Sequence, residues 1–148
     1  MSQVTRFLPS VARVLLGLIF FVFGLNGFLH FLPQPPLPSA AGAFLGALAG
    51  AGYMFPMIKS IEVAAGAMLL ANRGVPLALV LLAPVVVNIV AFHLVLAPPN
   101  AVTWLTLACE AYLGWAYRGH FRSLFVAKAV PSSRTGNEEP IRQLSPIV

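Results

Sequence analysis

Long apolar runs, separated by short polar connections, dominate the chain. Residues 14–32 form an uncharged run, which as a helix at about 1.5 Å per residue would extend close to the full thickness of a bilayer core. We place the first span at residues 12–32. Three further apolar runs, at 55–71, 75–96 and 101–118, are also long enough to cross a membrane. The pattern predicts an all-α fold, an integral membrane four-helix transmembrane bundle.

Proline and glycine mark the ends of these predicted helices. The proline-rich stretch 33–38 ends the first span, because proline donates no hydrogen bond to a helix and disfavours helix at the preceding residue. Pro56 fits the first turn of the second span, and the stretch 72–74 predicts a tight turn with a glycine for a left-handed position. Pro84 predicts a kink inside the third span.

The segment that follows the first span is rich in small residues. Ser39 is a candidate N-cap, and Gly42, Gly46 and Gly50 recur at four-residue spacing, as in helices that pack closely on another backbone. Because the segment is too short to cross a bilayer, we expect a short additional helix at or within the outer leaflet. A mobile loop is the alternative, since each glycine costs a helix about 1 kcal/mol.

Composition and charge support a membrane location. Hydrophobic residues make up 59% of the 148 residues and charged residues 9%, which leaves too few polar groups to cover a soluble domain. The net charge of +5 would suggest nucleic acid in a soluble protein, but most Lys and Arg residues flank the apolar runs. By the positive-inside rule both termini are cytoplasmic. We expect a lipid bilayer as the surroundings and no nucleic-acid partner.

The chain divides into one membrane domain and a tail. Residues 1–126 contain the four spans, and the polar composition of residues 127–148 predicts a disordered cytoplasmic tail. A cleaved signal peptide is the competing interpretation of residues 1–30, although no small-residue cleavage site follows. Cys109 is the single cysteine, which excludes an intrachain disulfide and a paired-cysteine redox motif.

Seven polar side chains interrupt the apolar runs. Counted from the predicted outer ends of the spans, all seven lie in the outer half of the membrane. Because an ionisable group inside a membrane is costly to desolvate, the cluster predicts a ligand-binding site. The predicted site residues are Asn26, His30, Lys59, Glu62, Asn88, His93 and Glu110.

The acidic members of this cluster have simpler interpretations as well. Lys59 and Glu62 are three residues apart on one helix face and can form a purely structural ion pair. Glu110 has no cation within four residues on its own helix, so it needs a partner across the bundle or stays neutral. Lys59, His93 and Asn88 are the available partners. A neutral Glu110 carboxyl hydrogen-bonded between helices is the alternative to a role in ligand binding.

The histidines and asparagines are equally ambiguous by sequence. His30 and His93 lie at similar depths on different helices, as an axial haem pair or two metal ligands would. Their spacing matches no metal-binding motif, so haem or a metal is not expected. Asn26 and Asn88 are candidates for hydrogen bonds between helices.

Three strings carry a resemblance to a known family. They are Phe23-Gly24-Leu25-Asn26-Gly27-Phe28, Pro84-Val85-Val86-Val87-Asn88-Ile89 with Phe92-His93, and Glu110-Ala111-Tyr112-Leu113-Gly114-Trp115-Ala116-Tyr117-Arg118. Together with the four short spans, they make residues 10–126 similar to the DoxX family of membrane proteins. The resemblance implies a redox-linked subunit of a bacterial-type inner (plasma) membrane, and it assigns no catalytic residue.

Two functional hypotheses follow. In the first, the protein is a redox-associated subunit that binds a quinone or another lipophilic molecule between its helices, with Glu110, His93 and Lys59 orienting the polar head. In the second, it is a non-enzymatic small-molecule binder or carrier, or an assembly subunit. Its glycine stripe would then pack against a second copy or against a membrane or redox partner protein.

Overall fold

Helices account for all regular structure in the described part of the chain. The computed structural model describes residues 3–33 and 36–125. The helices are α1 (Gln3–Leu29), α2 (Ser39–Gly50), α3 (Met54–Leu70), α4 (Val75–Val95), α5 (Ala101–Ala116) and α6 (Arg118–Phe121), and a 3-10 turn follows at Arg122–Phe125. The predicted all-α class is confirmed for these residues, whereas the predicted tail at 127–148 lies outside them.

Two helices are each long and apolar enough to cross a membrane. They are α4 and the part of α1 from Phe7 to Leu29. The short helix expected after the first span is present as α2, and α2 and α3 together pass the same test although they meet at an angle of 91°. Helix α5 has 16 residues and is shorter than α1 and α4. Two or three membrane crossings on these criteria are consistent with an integral membrane protein.

The helix limits differ from the predicted limits at several places. Helix α1 ends at Leu29, three residues before the predicted end at residue 32, because His30 adopts a left-handed conformation with φ 51°. Ser39 is the first residue of α2 and not its cap, since Pro38 occupies the N-cap position without a side-chain hydrogen bond. The predicted left-handed glycine is present, since Gly74 has φ 61° in the turn before α4.

Glycines bring α1 and α3 into backbone contact. A Cβ atom on Gly66 would lie 2.6 Å from the backbone nitrogen of Phe21, and one on Gly17 would lie 3.2 Å from the carbonyl oxygen of Gly66. Real Cβ atoms essentially never approach backbone as closely as 2.6 Å, so Gly66 requires glycine, and at Gly17 a side chain would be tight. Leu16, Leu69 and other fully buried side chains continue the core towards α4 and α5.

Arg13 ties the same two helices together at one end. Its Nη1 donates to the carbonyl oxygen of Leu69, and it lies 3.4 Å from the carbonyl oxygen of Leu70. The last carbonyls of a helix lack partners within the helix, so this side chain from α1 caps the C-terminus of α3.

Candidate functional site

An ion pair lies at the centre of the polar region. Lys59 Nζ lies 2.8 Å from Oε2 of Glu62, and the Glu62 side chain is only 5% exposed. The aliphatic part of Lys59 passes directly over Gly27 of α1, where a Cβ atom would lie 2.5 Å from Lys59 Cγ. The ammonium group also lies 5.5 Å from the centroid of the Phe55 ring. The expected pairing of Lys59 with Glu62 is therefore present in the structure.

Hydrogen bonds fix the imidazole of His93 in one tautomer. Nδ1 of His93 lies 2.9 Å from the carbonyl oxygen of Ile89, which can only accept, so Nδ1 carries the hydrogen. Nε2 lies 3.2 Å from Nδ2 of Asn100 and accepts from it. The Asn100 amide is itself oriented, because its Oδ1 accepts from the backbone N–H of Thr103 as the N-cap of α5. Nε2 is thus an acceptor that is already in use.

The first cavity lies between α2, α3 and α4 and has a volume of about 400 Å³. Its wall is largely apolar, and the rings of Phe44 on α2 and Phe92 on α4 meet across it with centroids 5.9 Å apart. Polar side chains reach it from α3 and α4. They are Lys59, Glu62, Asn88 and His93. This arrangement, apolar walls around a few convergent polar groups, is typical of a site for a small amphipathic ligand.

A second cavity of about 280 Å³ lies on the other side of the same polar groups. It shares Lys59, Glu62 and His93 with the first cavity, and α5 adds Asn100, Thr103 and Thr106 to its wall. The two threonines are buried, at 3% and 2% exposure. The ion pair and the imidazole therefore stand between an apolar cavity under α2 and a more polar cavity against α5.

Two of the predicted site residues have a local role in the chain. Oδ1 of Asn26 accepts a hydrogen bond of 2.7 Å from the backbone N–H of Leu32, so the buried Asn26 closes the C-terminus of α1. This bond lies within one segment, which corrects the expectation that Asn26 joins two helices. His30 is exposed in the turn that follows. Neither residue lines the two cavities described above.

Glu110 is separated from the other polar residues. It lines a third cavity, of about 370 Å³, that lies towards the C-terminal end of α5 and includes Gly114 and Arg118. Its Oε2 is buried and has no hydrogen-bond partner within the described residues. The partners expected from the sequence, among them Lys59 and His93, line the first and second cavities instead. The single predicted cluster is thus divided: Lys59, Glu62, Asn88 and His93 line the first cavity, Glu110 lines the third, and Asn26 and His30 line none of the three.

Sequence reasoning missed residues that shape the site. Asn100 orients His93, and its position just before α5 is the N-cap signature that would have identified it. Phe44 and Leu48 of α2 line the first cavity at a spacing of four residues, which is visible as one helix face. The prediction concentrated on the glycines of α2 and overlooked this apolar face.

Comparison of the chain with protein-family models, with curated proteins and with solved structures found no match. Its function is therefore inferred from the geometry of these cavities.

Proposed function

We propose that the chain is a DoxX-like integral membrane protein with four spans, formed by α1, α3, α4 and α5, in a bacterial-type inner membrane with both termini cytoplasmic. Helix α5 covers about 24 Å at 1.5 Å per residue, near the lower limit for a span. The bend of 91° lets α2 lie along the membrane surface when α3 stands upright. The guanidinium group of Arg118 lies over the ring of Trp115, and such a pair of a cation and an aromatic ring is expected at the cytoplasmic membrane interface.

The same proposal assigns a ligand to the first cavity. The protein binds a quinone or another lipophilic small molecule there, with the polar head of the ligand at Lys59 and Asn88. The observation that carries this function is the cavity of about 400 Å³, whose apolar wall surrounds polar groups from two helices. Such a volume is in the range that small-molecule sites occupy.

The donor groups in the cavity match the chemistry of a quinone. A quinone presents two carbonyl oxygens, which only accept hydrogen bonds. The Lys59 ammonium has three N–H donors and gives one to Glu62, and the Asn88 amide supplies two more donors. His93 does not compete as a donor, because its Nδ1–H is bonded to the Ile89 carbonyl. The Phe44 and Phe92 rings provide a surface for a flat ring system.

A second candidate function is that of an assembly subunit or a binder without catalysis. Gly42, Gly46 and Gly50 are exposed, and a Cβ atom on each would meet no atom within 4 Å. This face of α2 is open to a second copy of the chain or to a membrane or redox partner. Replacement of Gly46 with leucine would then change the oligomeric state in mild detergent without changing ligand binding.

The quinone proposal is tested by ligand-dependent thermal stability. The purified protein in detergent should unfold at a higher temperature in the presence of a short-chain quinone, since a ligand that binds only the folded state stabilises it. Asn88→Leu should abolish this shift, whereas Val87→Leu, a neighbouring substitution at an exposed site outside the lining, should preserve it. A shift that is equal in both variants, or absent from the unaltered protein, would refute the assignment.

A further inference from the structure

The third cavity contains a buried carboxyl oxygen without a donor. The cavity lies at the end of the bundle opposite to the Lys59–Glu62 pair, and Leu79, Val80 and Ala83 of α4 make its wall apolar. Glu110 faces it from α5 with Oε2 buried and unpaired within the described residues. Because a buried acceptor without a donor is destabilising, a ligand that supplies an N–H donor there is favoured.

The neighbouring arginine is held by other contacts. Nη1 of Arg118 donates to the carbonyl oxygen of Trp115 at 3.0 Å, and the guanidinium carbon lies 4.6 Å from the centroid of the Trp115 ring. Arg118 therefore contributes to the edge of the cavity while Glu110 remains its deeper polar group. Gly114, one turn from Glu110, keeps the space open, since a Cβ atom there would meet no atom within 4 Å.

We infer that this cavity is a second binding site, for an amphipathic ammonium compound. The ammonium N–H groups donate to Oε2 of Glu110, and the alkyl part of the compound lies along Leu79 and Ala83. Because Glu110 is the deeper polar group and Arg118 is bonded to Trp115, the head group that reaches Oε2 should be a hydrogen-bond donor, which an alkylammonium supplies and an anionic molecule of the same length does not. The site shares no lining residue with the first two cavities, so it goes beyond the proposed function and is independent of it.

Dodecylamine and dodecanol are matched probes for this site, because they share the alkyl chain and differ in the head group. Binding to the full chain in lipid nanodiscs is measured by titration calorimetry, with empty nanodiscs subtracted. We expect saturable binding of dodecylamine and much weaker binding of dodecanol, whose hydroxyl is an uncharged donor. Glu110→Gln should weaken the amine by roughly tenfold or more, the usual effect of losing a charge-assisted hydrogen bond.

A second substitution separates loss of the site from loss of the fold. Gly114→Leu fills the cavity from a position with open space, so the helix is retained while the amine should no longer bind. Val87→Leu, at an exposed position that lines none of the three cavities, is the control and should bind normally. Equal binding of both probes, or undiminished amine binding in Glu110→Gln and Gly114→Leu, would overturn the inference. So would a change of oligomeric state in these two variants with amine binding intact, because the cavity would then accommodate a second copy.

Discussion

Lys59 reaches Glu62 by crossing the face of Gly27, where a Cβ atom would lie 2.5 Å from Cγ and 2.6 Å from Cδ of the lysine. The ion pair on α3 therefore depends on the absence of a side chain on α1. Since Glu62 is buried, a displaced Lys59 would leave its carboxyl without a charged partner. The relationship connects the close approach of α1 and α3 to the electrostatics of the cavity wall.

Gly27→Ala tests this dependence. We expect a loss of about 1–3 kcal/mol of stability, because the lysine must move away and the buried Glu62 loses its partner. Thermal unfolding in detergent provides the measurement. Gly114→Ala is the matched control, since it adds the same methyl group in open space on α5. Equal effects of the two substitutions would show that Gly27 has no special role.

The energy of the ion pair is accessible through a double-mutant cycle. Lys59→Met should cost about 3 kcal/mol, because removing one partner of a mostly buried pair leaves the other uncompensated. Glu62→Gln combined with Lys59→Met should cost less than the sum of the two single substitutions. Unfolding of all four proteins by denaturant gives the coupling energy. Strictly additive losses would mean that the two side chains contribute independently.

Gly66→Ala should disrupt the fold more than Gly27→Ala does. The new methyl group would meet the backbone nitrogen of Phe21 at 2.6 Å, and a backbone cannot rotate away as a lysine side chain can. We expect α1 and α3 to separate at a cost of about 3 kcal/mol, at the upper end of overpacking effects. Thermal unfolding is again the measurement, and Gly46→Ala on α2 is the control with open space. A smaller effect at Gly66 than at Gly27 would contradict the packing described for these helices.

Two substitutions of Asn100 should separate its two roles. Asn100→Ala removes the cap of α5 and the donor to His93, and we expect a loss of about 1 kcal/mol. Asn100→Asp retains an oxygen for the Thr103 N–H but offers His93 only acceptors, so Nε2 loses its donor and the Nδ1–H tautomer loses one of its two hydrogen bonds. Nitrogen NMR of labelled histidine distinguishes the tautomers. An unchanged His93 spectrum in Asn100→Asp would show that Asn100 does not orient the ring.

The helices were predictable because their signals are local. Apolar runs and the prolines and glycines at their ends specify α3 and α4 to within a residue or two. The end of α1 was misplaced because Leu32 donates to Asn26 across the turn, which ends the helix before the apolar run ends. A hydropathy pattern does not reveal a hydrogen bond of this kind between a side chain and the backbone.

The site was predictable only in part, because depth along a helix does not give direction around the bundle. Lys59, Glu62 and His93 were placed at similar depths and do share two cavities. Glu110 was counted to the same half of the membrane as the other six residues, yet it lines a cavity that lies towards the C-terminal end of α5. Which neighbouring helix a residue faces depends on helix packing, and a single sequence carries little information about that packing.

Arg13 joins α1 to the C-terminal end of α3 by a hydrogen bond, and the glycines allow the two helices to pack closely along their length. We expect the two helices to move as one rigid body, since neither can slide or tilt without breaking these close contacts. We expect the motion that admits a molecule to the first cavity to come from the opposite wall, where α2 contacts α4 through Phe44 and Phe92. The α1–α3 pair would then be the fixed side of the site while the short helix moves.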